Sequence, residues 1–182
     1  MRTEIKIGGF GGQGVILSAH IVGKAAAIYA DKYATMIQSF GPEARGSSCS
    51  AQVIISDQPV TYPYVKKPDI LIAMSQEAYT KFLPELKEGG VLITESDLID
   101  SSNLQSDIQH YSIPSTRIAE ELGKKLILNI VMVGFFAAVT KQLDKDSVYK
   151  AVESSVPKGT ESLNLEAFNR GYFYGMDLIS KQ

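Results

Sequence analysis

The chain has 182 residues, 45% of them hydrophobic and 21% charged, with a formal net charge of −2. This composition is typical of one globular domain covering residues 1–182, and it disfavours a disordered chain or a strongly basic nucleic-acid-binding protein. A single cysteine, Cys49, excludes an internal disulfide and an iron–sulfur cluster held by this chain alone, and two histidines exclude a site of three histidines.

The sequence pattern contains no targeting signal. The N-terminus carries charges at Arg2, Glu4 and Lys6 and has no apolar core of signal-peptide length. The longest apolar stretch, residues 126–139, is shorter than the roughly 18 residues of a membrane span, so it is predicted to be a buried helix. We therefore expect a cytoplasmic protein with no membrane span.

Strands and helices alternate along most of the chain. Strands are predicted over residues 4–7, 33–38, 50–56, 69–74, 91–94 and 108–113, and helices over 15–30, 76–83, 115–123, 126–142, 146–154 and 162–179. The near-continuous apolar run at 69–74 is typical of a strand buried on both faces of a parallel sheet. The pattern predicts an α/β fold with an open, mostly parallel, Rossmann-like sheet flanked by helices, and a helical C-terminal third.

A glycine-rich loop, GGFGGQG at residues 8–14, connects the first predicted strand to the first helix and contains a G-x-G-x-x-G match. Glycines let the backbone approach a phosphate, while the loop N–H groups and the helix dipole attract the anion. The alternative is a tight turn that only packs the helix close to the sheet. The candidate cofactor-binding residues of this loop are Gly9, Gly11, Gly12, Gln13 and Gly14.

A free-standing dinucleotide site needs one more feature, an acidic residue at the end of the second strand. That strand is predicted to end at Gln38, and Asp31 lies before it rather than after it. This mismatch disfavours independent NAD binding.

The second candidate loop, SFGPEARGSS at residues 39–48, contains Glu43 and Arg45. It follows the second strand, so we expect it near the glycine loop at the ligand-binding edge of the sheet. Arg45 suits a bidentate clamp on a phosphate or carboxylate, with Glu43 orienting it or contacting a partner. The alternative is an exposed ion pair of little energetic value.

No catalytic residue and no metal site are predicted within this chain. Neither His20 nor His110 has an acid or a nucleophile beside it in the sequence, and Cys49 is interpreted as an inert core thiol. Asn129, within the apolar helix, is interpreted as a buried amide with its hydrogen bonds satisfied.

Six segments in order resemble the gamma subunit of 2-oxoacid:ferredoxin (acceptor) oxidoreductases. They are IGGFGGQGV at 7–15, GPEARG at 41–46, AQVIISD at 51–57, PDILIAMSQEAY at 68–79, LKEGGVLI at 86–93 and NIVMVG at 129–134. The glycine loop alone is a weak signal, whereas the ordered set, which spans roughly residues 4 to 175, is specific.

The resemblance implies a non-autonomous subunit of an enzyme that oxidatively decarboxylates a 2-oxoacid, passes electrons to ferredoxin or another acceptor, and forms an acyl-CoA. It implies thiamine diphosphate and magnesium between partner alpha and beta subunits, and iron–sulfur clusters in beta and delta subunits. This chain is then expected to help assemble the complex and to contact coenzyme A, and 2-oxoglutarate is favoured over pyruvate as the substrate. Two alternatives remain open: an independent dinucleotide-binding protein and a purely structural assembly subunit.

Overall fold

The computed structural model describes residues 1–40, 48–104 and 106–181. Its strands are β1 (Arg2–Phe10), β2 (Tyr33–Phe40), β3 (Ser48–Ser56), β4 (Ile70–Ala73), β5 (Val91–Glu95) and β6 (Gln109–Ile113). Its helices are α1 (Val15–Lys24), extended by a π-helical stretch at Ala25–Tyr29, α2 (Gln76–Phe82), α3 (Ser115–Glu121), α4 (Leu128–Thr140), α5 (Lys145–Glu153) and α6 (Glu161–Ser180). The predicted order of strands and helices is confirmed.

The six strands form one sheet in the order β2-β3-β1-β4-β5-β6. The pairs β1–β4, β4–β5 and β5–β6 are parallel, whereas β3 is antiparallel to both β1 and β2. The reversal of β3 follows from chain length, because the seven residues between β2 and β3 are too few for a crossover, which takes a dozen or more. The prediction of an α/β fold with a mostly parallel sheet is confirmed, with β3 as the one reversed strand.

The first strand is longer than the sequence predicts. β1 continues through Gly8 and Gly9 to Phe10, and Gly9 pairs with Cys49 in β3. A Cβ at Gly8 would lie 2.8 Å from the ring of Phe82, so this glycine allows α2 to pack closely on the sheet. The predicted seven-residue loop is therefore wrong in length, and the turn itself comprises residues 11–14.

The two faces of the sheet are covered unequally. Most of the buried core lies on one face, where strand residues such as Ile5, Ile7 and Val53 belong to one cluster with the apolar residues of α1, α3, α4, α5 and α6. A smaller cluster on the other face joins β4 and β5 to α2. The apolar segment predicted to be a buried helix is α4, which is buried almost throughout. Within the described ranges, no helix combines the length and apolarity that crossing a membrane requires.

Candidate functional site

The turn at residues 11–14 lies at the carboxyl end of β1 and leads directly into α1. Gly12 and Gly14 have φ angles of +93° and +73°, in the left-handed region that glycine adopts without strain. A Cβ at Gly12 would meet none of the described atoms within 4 Å, and both Gly11 and Gly12 are exposed. As far as the described residues go, this part of the turn leaves space for a close approach by a ligand.

Among the described residues, no side chain at the N-terminus of α1 competes with an anion. The residue preceding α1 is Gly14, the first turn contains no acidic residue, and no described side chain caps the helix. The first N–H groups of a helix have no partner within the helix, and its dipole makes this end positive. The turn and α1 together can accept a phosphate or carboxylate.

The side chain of Gln13 points inward rather than toward the open side of the turn. Its Oε1 accepts a hydrogen bond from the Phe10 N–H at 2.7 Å, and its Nε2 donates to the Met74 carbonyl at 2.8 Å. Gly9 leaves room for this amide, because a Cβ at Gly9 would lie 2.6 Å from Gln13 Oε1. Gly9 and Gln13 therefore support the turn on its inner side, where it contacts β1 and the end of β4.

Asn129 of α4 packs against the last glycine of the turn. A Cβ at Gly14 would lie 2.5 Å from the Asn129 amide, whose Nδ2 donates to the Gly14 carbonyl at 3.4 Å. Asn129 is only 3% exposed. Sequence reasoning interpreted it as a satisfied buried amide and missed its place at the turn. The only available signal was its polarity within an apolar helix, which carries no information about the tertiary neighbour.

Glu43 and Arg45 lie outside the described residues. The two ends of their segment are described, since Phe40 pairs with Cys49 and Ser48 pairs with Phe10, the last residue of β1. Both residues that flank the segment, Phe40 and Ser48, therefore lie at the edge of the sheet that carries the glycine turn.

A buried carboxylate at the same edge was not singled out by the sequence. Glu95, the last residue of β5, has no exposed area, and its Oε2 accepts hydrogen bonds from Thr116 N at 2.8 Å, from Thr116 Oγ1 and from the Ser115 hydroxyl. Its Oε1 accepts from the Asp97 N–H at 3.0 Å. These four donors all belong to the protein, so Glu95 joins β5 to the start of α3.

The remaining groups with potential reactivity are dispersed. Burial raises the pKa of the Cys49 thiol and lowers the pKa of His110, so both groups are neutral at pH 7. His110 Nε2 forms a hydrogen bond with Thr94 Oγ1 at 2.8 Å, and His20 is exposed on α1. Across the part of the chain that the structure describes, no three His, Cys, Asp or Glu side chains come close enough to hold a metal ion.

Comparison with known proteins gives a consistent result. The family model described as pyruvate ferredoxin/flavodoxin oxidoreductase matches residues 4–174. The 2-oxoglutarate synthase subunit KorC of Methanocaldococcus jannaschii is 48% identical over 98% of this chain and 96% of its own length. The ketoisovalerate oxidoreductase subunit VorA of Methanothermobacter marburgensis is 33% identical over 83% of this chain, but the match covers only 31% of VorA. The crystal structure of the gamma subunit of a keto/oxoacid ferredoxin oxidoreductase from Geobacter sulfurreducens is 38% identical and superimposes with a TM-score of 0.84, over 96% of this chain and 99% of that one.

Proposed function

The chain belongs to the pyruvate ferredoxin/flavodoxin oxidoreductase family, and from that premise we propose that it is the gamma subunit of a multi-subunit 2-oxoglutarate:ferredoxin oxidoreductase. The observation that carries the proposal is the 48% identity with KorC over nearly the full length of both chains. The lower identity with VorA, 33%, favours 2-oxoglutarate over a branched-chain 2-oxoacid. The product of the assembled enzyme is then an acyl-CoA, and ferredoxin or a similar carrier takes the electrons.

We assign the cofactors of such an enzyme to partner subunits on two grounds: the single cysteine of the sequence, and the lack of an acidic cluster among the described residues. A [4Fe–4S] cluster needs about four cysteine thiolates, and this chain has one cysteine. Magnesium–diphosphate sites are built from carboxylate and amide oxygens. Among the described residues, no three acidic side chains come close enough to hold a metal ion. Thiamine diphosphate, magnesium and the clusters therefore belong with alpha, beta and delta subunits in this proposal.

The contribution of this chain is contact with the phosphates of coenzyme A. The exposed glycines 11 and 12, the absence of described atoms within 4 Å of a Cβ at Gly12, and the N-terminus of α1, which no described side chain caps, are suited to an anion of this kind. Arg45 and Glu43 lie in the segment that starts and ends beside the turn, where an arginine adds a bidentate phosphate contact. In this proposal the chain binds and orients coenzyme A and helps to assemble the complex.

Two substitutions at Gly12 test the phosphate contact in the assembled complex. Asn and Asp have the same shape and both tolerate a positive φ, but only Asp adds a negative charge. We expect Gly12→Asp to raise the CoA KM at least about tenfold relative to Gly12→Asn, because like charges repel at close range. The readout is 2-oxoglutarate-dependent viologen reduction, and Arg45→Ala should raise the CoA KM in the same assay.

The matched control is Gly89→Asp. Gly89 also has a positive φ, +68°, and no described atom within 4 Å of its Cβ position, but it lies just before β5, at the opposite end of the sheet from the turn. This variant should keep the CoA KM of the wild type. Equal CoA KM values for Gly12→Asp, Gly12→Asn and wild type would contradict the phosphate contact. Loss of the partner subunits with normal kinetics in the remaining complex would indicate a purely structural role.

A further inference from the structure

The amide of Gln13 joins the ends of two parallel strands. β1 and β4 are hydrogen-bonded neighbours, and the Met74 N–H, directly after β4, donates to the Gly8 carbonyl at 2.8 Å. One step further on, Gln13 accepts from Phe10 N and donates to Met74 O. The side chain therefore adds one more hydrogen-bonded link between the two strands, beyond the point where their backbones separate.

This link fixes the orientation of the amide. Its oxygen faces an N–H donor and its nitrogen faces a carbonyl acceptor, so a flipped amide would bring like groups together. The Gln13 backbone is also held, because its N–H donates to the Phe10 carbonyl at 3.1 Å. Residues 11 and 12 are thus held between two fixed points, Phe10 and Gln13, with the exposed glycines on the outer side.

We propose that Gln13 is a positioning residue, which holds the turn in the one conformation that presents its backbone N–H groups and the N-terminus of α1 to the phosphates of coenzyme A. Its amide uses its hydrogen-bonding groups within the protein and does not itself bind the ligand. The inference rests on the proposed contact between the turn and coenzyme A, and it assigns to Gly9 the role of leaving space for the Gln13 amide.

Two variants of the assembled complex test this role. Gln13→Met keeps the length of the side chain and removes both hydrogen bonds, whereas Gln13→Glu keeps the acceptor for Phe10 and turns a carboxylate oxygen toward the Met74 carbonyl. We expect both to raise the CoA KM at least about fivefold, because each variant loses one or both of these hydrogen bonds and the loss of one corresponds to about fivefold in a dissociation constant. The KM for 2-oxoglutarate should stay unchanged, and kcat at saturating CoA should change much less than the CoA KM. Gln58→Met makes the same chemical change at an exposed position near the opposite end of β1 and should have no effect.

Hydrogen exchange in the same complexes gives a readout that does not depend on turnover. In the wild type, CoA should slow the exchange of the backbone amides of residues 11–17. In Gln13→Met the Phe10 amide should exchange faster, and this protection should need a higher CoA concentration.

Two outcomes would overturn the inference. One is a wild-type CoA KM in both Gln13 variants while the Phe10 amide exchanges faster. The other is an equal rise in the KM for CoA and for 2-oxoglutarate, which would indicate general damage. The Gly12 series separates this inference from the proposed function. If Gly12→Asp weakens CoA binding and the Gln13 variants do not, only the positioning role fails, whereas an unaffected Gly12→Asp removes the phosphate contact itself.

Discussion

Three glycines within six residues have three different physical tasks. Gly9 leaves space for the Gln13 amide, Gly12 exposes backbone at a positive φ, and Gly14 allows Asn129 to pack against the start of α1. A side chain is excluded at Gly9 and Gly14 by neighbouring side chains, whereas at Gly12 no described atom is in the way and the positive φ only narrows the choice of residues. Substitutions at Gly9 and Gly14 therefore report on packing, and substitutions at Gly12 report on the ligand.

The cap of α5 is a residue whose contribution to stability depends on pH. Asp144 precedes the helix, and its carboxylate accepts hydrogen bonds from Ser147 Oγ at 2.6 Å and from Ser147 N at 2.8 Å. These two bonds hold the pKa of Asp144 below its usual value of 3.8, and the bond from the Ser147 hydroxyl has the larger effect. Because the pKa is lowered in the folded state, the stabilisation is fully present above about pH 4 and is lost as the pH falls through the lowered value.

We expect Asp144→Ala to reduce the free energy of unfolding by about 1 kcal/mol at pH 7, the usual cost of losing a helix cap. The difference from wild type should shrink at about pH 3. Urea unfolding, followed by circular dichroism at both pH values, measures this difference in the free energy of unfolding. Asp146→Ala is the control, because Asp146 is an exposed residue of the same helix, whose carboxylate pairs with Lys150 and caps no N–H among the described residues. An equal loss in both variants would contradict the capping role.

At the scale of elements, α4 and α6 cross with their backbones in contact. A Cβ at Gly171 of α6 would lie 1.9 Å from the Val131 carbonyl oxygen, and a Cβ at Gly134 of α4 would lie 2.1 Å from that of Phe168. Both obstacles are backbone atoms, which cannot rotate away. The distance between the two helices is therefore set by these glycines.

We expect Gly171→Ala to lower the free energy of unfolding by about 3 kcal/mol or to prevent folding, because the two helices must separate. Gly23→Ala in α1 is the matched control, since its Cβ would meet only Val53 Cγ1 at 4.0 Å among the described atoms. Removing a helical glycine at such an open position should stabilise the protein by about 0.5 kcal/mol. Thermal unfolding of both variants tests the pair, and opposite changes in Tm are expected. A neutral Gly171→Ala would show that the helices tolerate a wider separation.

The elements were predictable from the sequence, but several of their relations were not. Apolar runs and glycine–proline breaks predicted each strand and helix, because local periodicity reflects burial. The antiparallel direction of β3 also follows from the sequence, because the connection after β2 is too short for a crossover. By contrast, Gln13 and Asn129 contact partners that are 61 and 115 residues away along the chain, so no local pattern could assign their roles.

At the scale of the whole molecule, the sheet leaves surface that is suited to other chains. β2 is an edge strand, and Phe40 at its end is 64% exposed. Among the described residues, α2 is the one α-helix whose side chains belong to the small cluster on the face opposite the main core. In VorA the region that matches this chain makes up only 31% of a longer chain. A fold that occurs both separately and as part of a longer chain is consistent with a subunit that acts in contact with others.

The separate chain is therefore expected to be inactive. Purified alone, it should show no 2-oxoacid-dependent viologen reduction and bind no stoichiometric iron, because its single cysteine supplies one of the about four thiolates that a cluster needs. Addition of the partner subunits should produce activity with one preferred 2-oxoacid. Cys49→Ala in the assembled complex should leave both iron content and turnover unchanged, since burial raises the pKa of this thiol and keeps it protonated. Loss of iron from that variant would place a cluster ligand on this chain and would contradict the assignment of the clusters to the partner subunits.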